Sequence, residues 1–270
     1  MNERVRVVIA DHVATVTLNR AEKRNAVDTA MFEALFEAAD SIAANPLVRA
    51  VVMHGDGKDF CAGVDISVFG GEGIGATIGE RMKPRTLSGA NFFQSASLCW
   101  RDLPVPVIAA LHGSAFGAGF QIAMGADMRY AAPDTRMSIM EIKWGIVPDM
   151  GITATLPGIL AEDKVRELAY TGRLVDANEC LALNLVTGIH ADPLAKASAV
   201  AAEIAAKSPD AVRAIKKLVS ESWRGNAAAT LKLEADLQMS VMAGGNQKEA
   251  AAANIEKREP VFDDGIQELP

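Results

Sequence analysis

Cysteine is scarce in this 270-residue chain, and the three present, Cys61, Cys99 and Cys180, are odd in number and far apart. There is no CxxC pair and no Cys/His cluster, which excludes a zinc site and a secreted disulfide framework; no metal is expected. Long hydrophobic runs are missing too, since no stretch reaches the length of a membrane span. The first residues, MNERVRVVIADHVATV, alternate like a strand and lack the apolar core of a signal peptide, so the expected location is the cytoplasm. Positive charge is not in excess. Against 34 acidic residues stand 27 basic ones, a net charge of −7. That argues against a nucleic-acid or membrane partner and leaves room only for a local basic patch that grips phosphates.

What is there reads as a globular protein: half the residues are hydrophobic, 23 % are charged, and mean hydropathy is only slightly positive. The length allows one large domain, or a main domain with a helical appendage. Residues 5–20 alternate around Ala10-Asp-His12, which predicts a hairpin of two half-buried strands. Asp28 is the expected N-cap of a helix to about Asn45, with Met31, Leu35, Phe36, Ala39 and Ile42 inward. Residues 49–54 are short, apolar and β-branched, as a buried parallel strand requires. Seven Gly and Pro residues between 67 and 90 leave that segment irregular: a cover for a binding pocket or an ordinary surface loop. A helix over 91–102 and a strand over 105–110 follow. This alternation implies parallel strands with helical crossovers. Further on, Gly172 ends a helix that begins at 162, Asp176 caps a short one, and 185–190 is the last expected strand. From 192 the pattern is helical, over 193–207, 209–223, 227–242 and 248–258, so the boundary between a core of residues 1–191 and a helical region of 192–270 falls near 191.

The chain is organised around residues 111–151. A Gly-rich turn, Gly113 to Gly119, opens into a segment of helical character, 120–126. Glycine lets backbone pass close to a ligand, and a helix start leaves N–H groups without internal partners, so such a turn suits a developing negative charge. It is equally what a tight strand-to-helix turn needs. Beyond it lie two carboxylates, Glu141 and Asp149, among Ile, Met, Trp and Val. Donors for an oxyanion beside a carboxylate in apolar surroundings are equipment for moving a proton next to a carbonyl. Asp149 is also placed to cap a helix starting near Ile152. His112 reads as a structural histidine, and Cys61 as a buried small residue rather than a nucleophile.

Four segments in order, Leu18-Asn-Arg with Arg24-Asn-Ala-Val27, Asp59-Phe-Cys-Ala-Gly-Val-Asp65, Pro106 to Gly113 running into Phe116-Gly-Ala-Gly119, and Glu141 to Gly151, resemble the crotonase (enoyl-CoA hydratase/isomerase) superfamily over nearly the whole chain. The resemblance implies an α/β fold, a crotonase-like spiral of ββα units, with a C-terminal helical region that assembles trimers or dimers of trimers. It implies an acyl-CoA substrate and no separate cofactor. The backbone N–H groups of Val64 and Ala118 would form an oxyanion hole for the thioester oxygen. Coenzyme A would meet Lys23 and Arg24 near its phosphates, Ala26, Ala62, Asp65 and Ile66 along the adenine and pantetheine path, and Lys257 and Phe262 from the terminal region. Lys23 and Arg24 read equally as a solvated basic loop.

The chain departs from a typical hydratase at the acid/base groups. Hydratases carry glutamates at the positions of Gln121 and Glu141, and glutamine cannot exchange a proton at neutral pH. Gln121 is left to position a water or to fix Glu141. Asp149, where hydratases have glycine, resembles the aspartate of the dienoyl-CoA isomerases, although those enzymes have a third acid where Gln121 stands. The expectation is double-bond isomerisation through Glu141 and Asp149, with Ile139, Met140, Ile142 and Trp144 as the apolar setting. The alternatives are an enoyl-CoA hydratase, a thioester hydrolase or C–C cleaving enzyme, and a non-catalytic acyl-CoA-binding protein.

Overall fold

The first hairpin sets the sheet. Strands β1 (Val5–Ala10) and β2 (Val13–Leu18) pair antiparallel, with Val7 opposite Val16. Asp11 and His12 both take positive φ, 48° and 63°, the conformation a two-residue turn needs to match the strands' twist. These coordinates are a computed structural model, which describes residues 4–65, 79–86, 89–222, 226–265 and 269. Ile66, Trp223 and most of the Gly-rich segment after residue 65 lie outside the described residues.

Helix α1 (Thr29–Ala43) begins where the Asp28 carboxylate accepts the Met31 N–H, and it turns Met31, Leu35, Phe36, Ala39 and Ile42 inward. It carries the chain back to β3 (Ala50–Gly55), parallel to β2. Helix α2 (Phe92–Arg101) starts with a reciprocal Asn91–Gln94 cap and leads to β4 (Val107–Leu111). Three-residue β5 (Ser114–Phe116) and helix α3 (Ala118–Met124) follow, then β6 (Met128–Ala131), β7 (Arg136–Ser138) and a 3-10 turn at Glu141–Trp144. After α4 (Ile152–Thr155) and α5 (Glu162–Thr171) come β8 (Val175–Asp176), α6 (Ala177–Ala182) and β9 (Gly188–Ile189). Four helices finish the chain: α7 (Pro193–Ala205), α8 (Pro209–Ser222), α9 (Ala227–Ala243) and α10 (Gly245–Glu256).

The main sheet runs β1-β2-β3-β4-β6-β9, parallel after the first hairpin, and β5-β7-β8 form a second small sheet. Alternate side chains of β3 and β4 go to opposite faces. Val51, Met53, Val107, Ala109 and Leu111 join the large core that contains α1 and α2, while Ala50, Val52, Ile108 and Ala110 meet Ala197 and Ala201 of α7. The helical region beyond residue 191 therefore begins with a helix that covers the second face of the sheet. Its end is tied back as well. Arg49, at the start of β3, binds Asp264 at 2.7 Å and the Phe262 carbonyl at 3.2 Å.

The sheet is the α/β architecture expected, with boundaries moved by a few residues. The last strand is only two residues long rather than six, because residues 185–187 are used in turns, with Thr187 N–H bonded to the Arg129 carbonyl. Among the described residues, no helix is long and apolar enough to cross a membrane.

Candidate active site

Parallel strands leave their ligand sites at their carboxyl ends, and β3 and β4 each end in a loop that folds over the other. The seam is made of backbone. Phe60 N–H bonds the His112 carbonyl at 2.9 Å, Cys61 N–H bonds Ser114 O at 2.9 Å, and Phe116 N–H bonds Cys61 O at 3.0 Å. Gly119 makes this approach possible: a Cβ there would lie 2.3 Å from the Cys61 carbonyl oxygen. On the outer side of the same loop, Val27 N–H bonds Gly63 O at 2.8 Å and Asp65 N–H bonds Val27 O at 2.9 Å. Val64 is thus held with its own N–H turned away from that ladder. Among the described residues neither the Val64 nor the Ala118 N–H has a hydrogen-bond partner. Ala118 is the first residue of α3, so its N–H carries the positive end of the helix as well.

Both residues line a cavity of about 300 Å³, together with Arg24, Ala62, Phe116 and Gly117 on one side and Met140, Glu141, Lys143, Trp144 and Ile146 on the other. Glu141 enters from the 3-10 turn. A side chain at Gly117 would begin 3.4 Å from Glu141 Oε1, so the bare glycine sets the carboxylate against the turn. Gln121, on α3 and 1 % exposed, donates from Nε2 to Glu141 Oε1 at 2.6 Å and accepts the Met150 N–H on its Oε1 at 2.8 Å. The second carboxylate oxygen, Glu141 Oε2, is buried with no partner. Burial raises the Glu141 pKa above the ordinary glutamate range; its own backbone and the Gln121 amide pull it back, and the Asp149 charge pushes it up further. Asp149 is raised too, chiefly by burial. A carboxylate with one oxygen fixed and the other unpaired, facing two backbone donors across a small cavity, can take up and return a proton beside a polarised carbonyl.

The sequence pattern described as Enoyl-CoA hydratase/isomerase matches residues 9–265. The chain belongs to the enoyl-CoA hydratase/isomerase family. It is 32 % identical to a Bacillus subtilis protein named putative enoyl-CoA hydratase/isomerase, over 93 % of this chain and 95 % of that one. It is likewise 32 % identical to the human mitochondrial Delta(3,5)-Delta(2,4)-dienoyl-CoA isomerase, covering 95 % of this chain and 80 % of the relative. The crystal structure of enoyl-CoA hydratase from Bacillus anthracis superposes with a TM-score of 0.88 at 28 % identity, over 97 % of this chain and all of that one. The protein is therefore an enzyme of the hydratase/isomerase type.

Measured against the residues this family membership points to, the structure gathers Val64, Ala118, Glu141, Ala62 and Arg24 around one cavity and puts Gln121 directly behind it. Arg24 is less free than a phosphate ligand would be. Its Nε and Nη2 grip Asp59 at 2.6 and 2.9 Å, and Nη2 also reaches Ser114 Oγ at 2.7 Å. That guanidinium holds Asp59 down at about 2. Lys23 is exposed, and Asp65 pairs with Arg20 at 2.7 Å. The Ala26 carbonyl accepts from Arg20 Nη1. Lys257 ends α10, and the Phe262 ring lies by Arg49 at the amino end of β3, the opposite end of the strand from the cavity. Asp149 does not cap α4, whose N-cap is Gly151 with no side-chain bond. Of the apolar setting expected for Glu141, Ile139 is buried and Met140 and Trp144 line the cavity, but Ile142 turns outward and packs toward Gly172 at the end of α5. Cys61 is buried, its thiol pushed up to about 12, and His112 Nε2 meets the Gly57 carbonyl at 3.2 Å. Lys143 and Ile146 in the cavity wall had no signal in the sequence beyond nearness to Glu141.

Proposed function

We propose that the enzyme moves a double bond along an enoyl-CoA thioester, with Glu141 as the proton carrier, and that it favours this over adding water. The thioester oxygen accepts the Val64 and Ala118 N–H groups, which stabilise the enolate that forms when a proton leaves carbon. Glu141 takes that proton. The double bond shifts as the electron pair delocalises toward the thioester, and a carbon farther along receives a proton from Glu141 or from Asp149. One proton leaves and one arrives, so no water is consumed.

The observation that carries this reading is the Gln121 clamp. Its amide nitrogen is bound to Glu141 and its amide oxygen to the Met150 N–H, so the group standing where a hydratase has its second carboxylate is tied up at both ends and cannot ionise. Glu141 remains as the proton-exchanging group in the cavity; Asp149 is not among the residues that line it, but its charge acts on Glu141, and both pKa values are raised, which fits Asp149 as a second proton donor. Hydration with Glu141 alone activating water is the second reading, favoured by the hydratase names of several relatives. Incubating an enoyl-CoA in deuterium oxide separates the two. Isomerisation exchanges protons at the α and γ carbons without building up a 3-hydroxyacyl product, whereas rapid 3-hydroxyacyl formation supports hydration. Exposed apolar residues on the terminal helices, Leu231, Met239 and Ile255 among them, fit assembly into trimers or dimers of trimers, in which Lys257 and Phe262 of one subunit would reach a neighbour's coenzyme A.

A further inference from the structure

A second cavity, of about 660 Å³, lies away from the carboxylate chemistry, between the end of α2 and the exposed side of α8. Its wall carries four cations, Arg101, Arg213, Lys216 and Lys217, against two acids, Asp102 and Glu221, with Leu103, Pro104 and Leu269 as an apolar side. Most of these charges are already engaged. Lys216 is held by Asp127 at 2.9 Å and by the Val105 carbonyl at 2.8 Å, Arg101 donates to the Ala154 carbonyl, and Lys217 faces Glu221 at 3.9 Å. Arg213 is different. It is 5 % exposed, its one hydrogen bond is from Nη2 to the Pro46 carbonyl at 3.3 Å, and its Nε and Nη1 are buried without any partner. Among the described residues no carboxylate forms an ion pair with it.

A buried cation with unsatisfied donors is costly; the charges of Asp210 and Asp264 act on Arg213, but neither carboxylate pairs with its Nε or Nη1. We propose that this cavity is a binding site for a small organic anion, whose phosphate or carboxylate group is received by Arg213 with Lys217 beside it, and whose body rests on Leu103 and Pro104. The volume is that of a metabolite-sized ligand rather than a lone ion. The site is independent of the proposed reaction and of its cavity.

Thermal unfolding and calorimetric titration of the full chain with inorganic phosphate and, separately, with acetate test this, using chloride at matched ionic strength as the reference. The expected result is a saturable rise in Tm and a titratable heat with at least one of the two anions. Arg213→Met should lose at least tenfold in that affinity. Lys217→Met should weaken the same anion several-fold, which keeps the test open if the first variant folds poorly. Arg24→Met, at the other cavity, should leave the response intact. The anion that saturates identifies the headgroup chemistry. Equal responses in the parent, Arg213→Met and Lys217→Met, a response lost in Arg24→Met instead, or no saturation with either anion would overturn the site.

Discussion

On one side of the cavity that Glu141 lines, the loops of residues 59–65 and 113–119 are locked by a ladder of main-chain bonds between 2.8 and 3.0 Å, and their side chains are mostly small. On the other side, the turn at Glu141–Trp144 holds one buried carboxylate by a single side-chain bond, and beyond it Trp144, Ile146 and Val147 are exposed. The first wall is positioned by backbone that hardly depends on which side chains it carries. The second depends on the identity of Glu141 and of Gln121, which is bonded to it, with the charge of Asp149 acting on Glu141 from outside the cavity lining. On the proposed reading, the donor wall holds the thioester and the carboxylate wall decides what happens to the proton. The TM-score of 0.88 between this chain and a hydratase therefore reports the shared fold and not the reaction.

The comparison breaks most sharply at Glu141. Replacing it with Gln should reduce any proton-transfer turnover by about 10²–10⁴-fold. Acyl-CoA binding, measured by calorimetry, should stay close to the parent value because the donor wall is untouched. The sign of the stability effect follows from the raised pKa of Glu141. Such a group stabilises the fold below its unfolded pKa and loses that contribution as pH rises through the folded one, so at neutral pH Glu141→Gln should unfold at an equal or higher denaturant concentration.

Gly119→Ala attacks the other wall. Its Cβ cannot coexist with the Cys61 carbonyl at 2.3 Å, so the seam must open. Overpacking of this kind costs about 1–3 kcal/mol in denaturant unfolding, and displacing a donor costs about 10²–10³-fold in kcat. Here, unlike at Glu141, activity and stability should fall together. Asp149→Asn is expected to cost about 10²-fold in isomerisation of a conjugated dienoyl-CoA, while its Tm moves little, because the side chain caps no helix. The smallest effect is at Gln121. Gln121→Met removes the hydrogen bond that lowers the Glu141 pKa, so the acid limb of the pH–rate profile should move to higher pH, with the plateau reduced only several-fold. An unmoved limb would mean that Gln121 does not set the state of Glu141.

The glycines at 113, 117 and 119 pointed to a tight backbone turn, but Val64 and Ala118 as the donors came from the family resemblance, not from composition. The hairpin, the Asp28 cap and the buried run of β3 were legible, because a period or a capping side chain marks each one. The short strands β5, β7 and β8 were not, as two or three residues are too few to show a period. The partner of Arg24 was hidden for another reason. Asp59 lies 35 residues away, and a basic loop in sequence gives no sign that its charge is spent on holding the 59–65 loop. The Gln121–Met150 bond is of the same kind: glutamine at 121 showed what chemistry was absent, but only the folded chain brings its two amide ends to Glu141 and to the Met150 N–H. Ile142 failed because a 3-10 turn does not keep neighbours on one face, so nearness in sequence to Glu141 did not mean nearness in space.

The most direct test of the carboxylate wall is turnover of two substrates by the same preparation: hydration of a 2-enoyl-CoA and isomerisation of a conjugated dienoyl-CoA, each with the parent and with Gln121→Glu. The parent is expected to isomerise the dienoyl-CoA at least about 10²-fold faster than it hydrates the enoyl-CoA, and Gln121→Glu to raise hydration by supplying the second carboxylate. Rapid hydration by the parent, unchanged in Gln121→Glu, would contradict this and make enoyl-CoA hydration the enzyme's reaction.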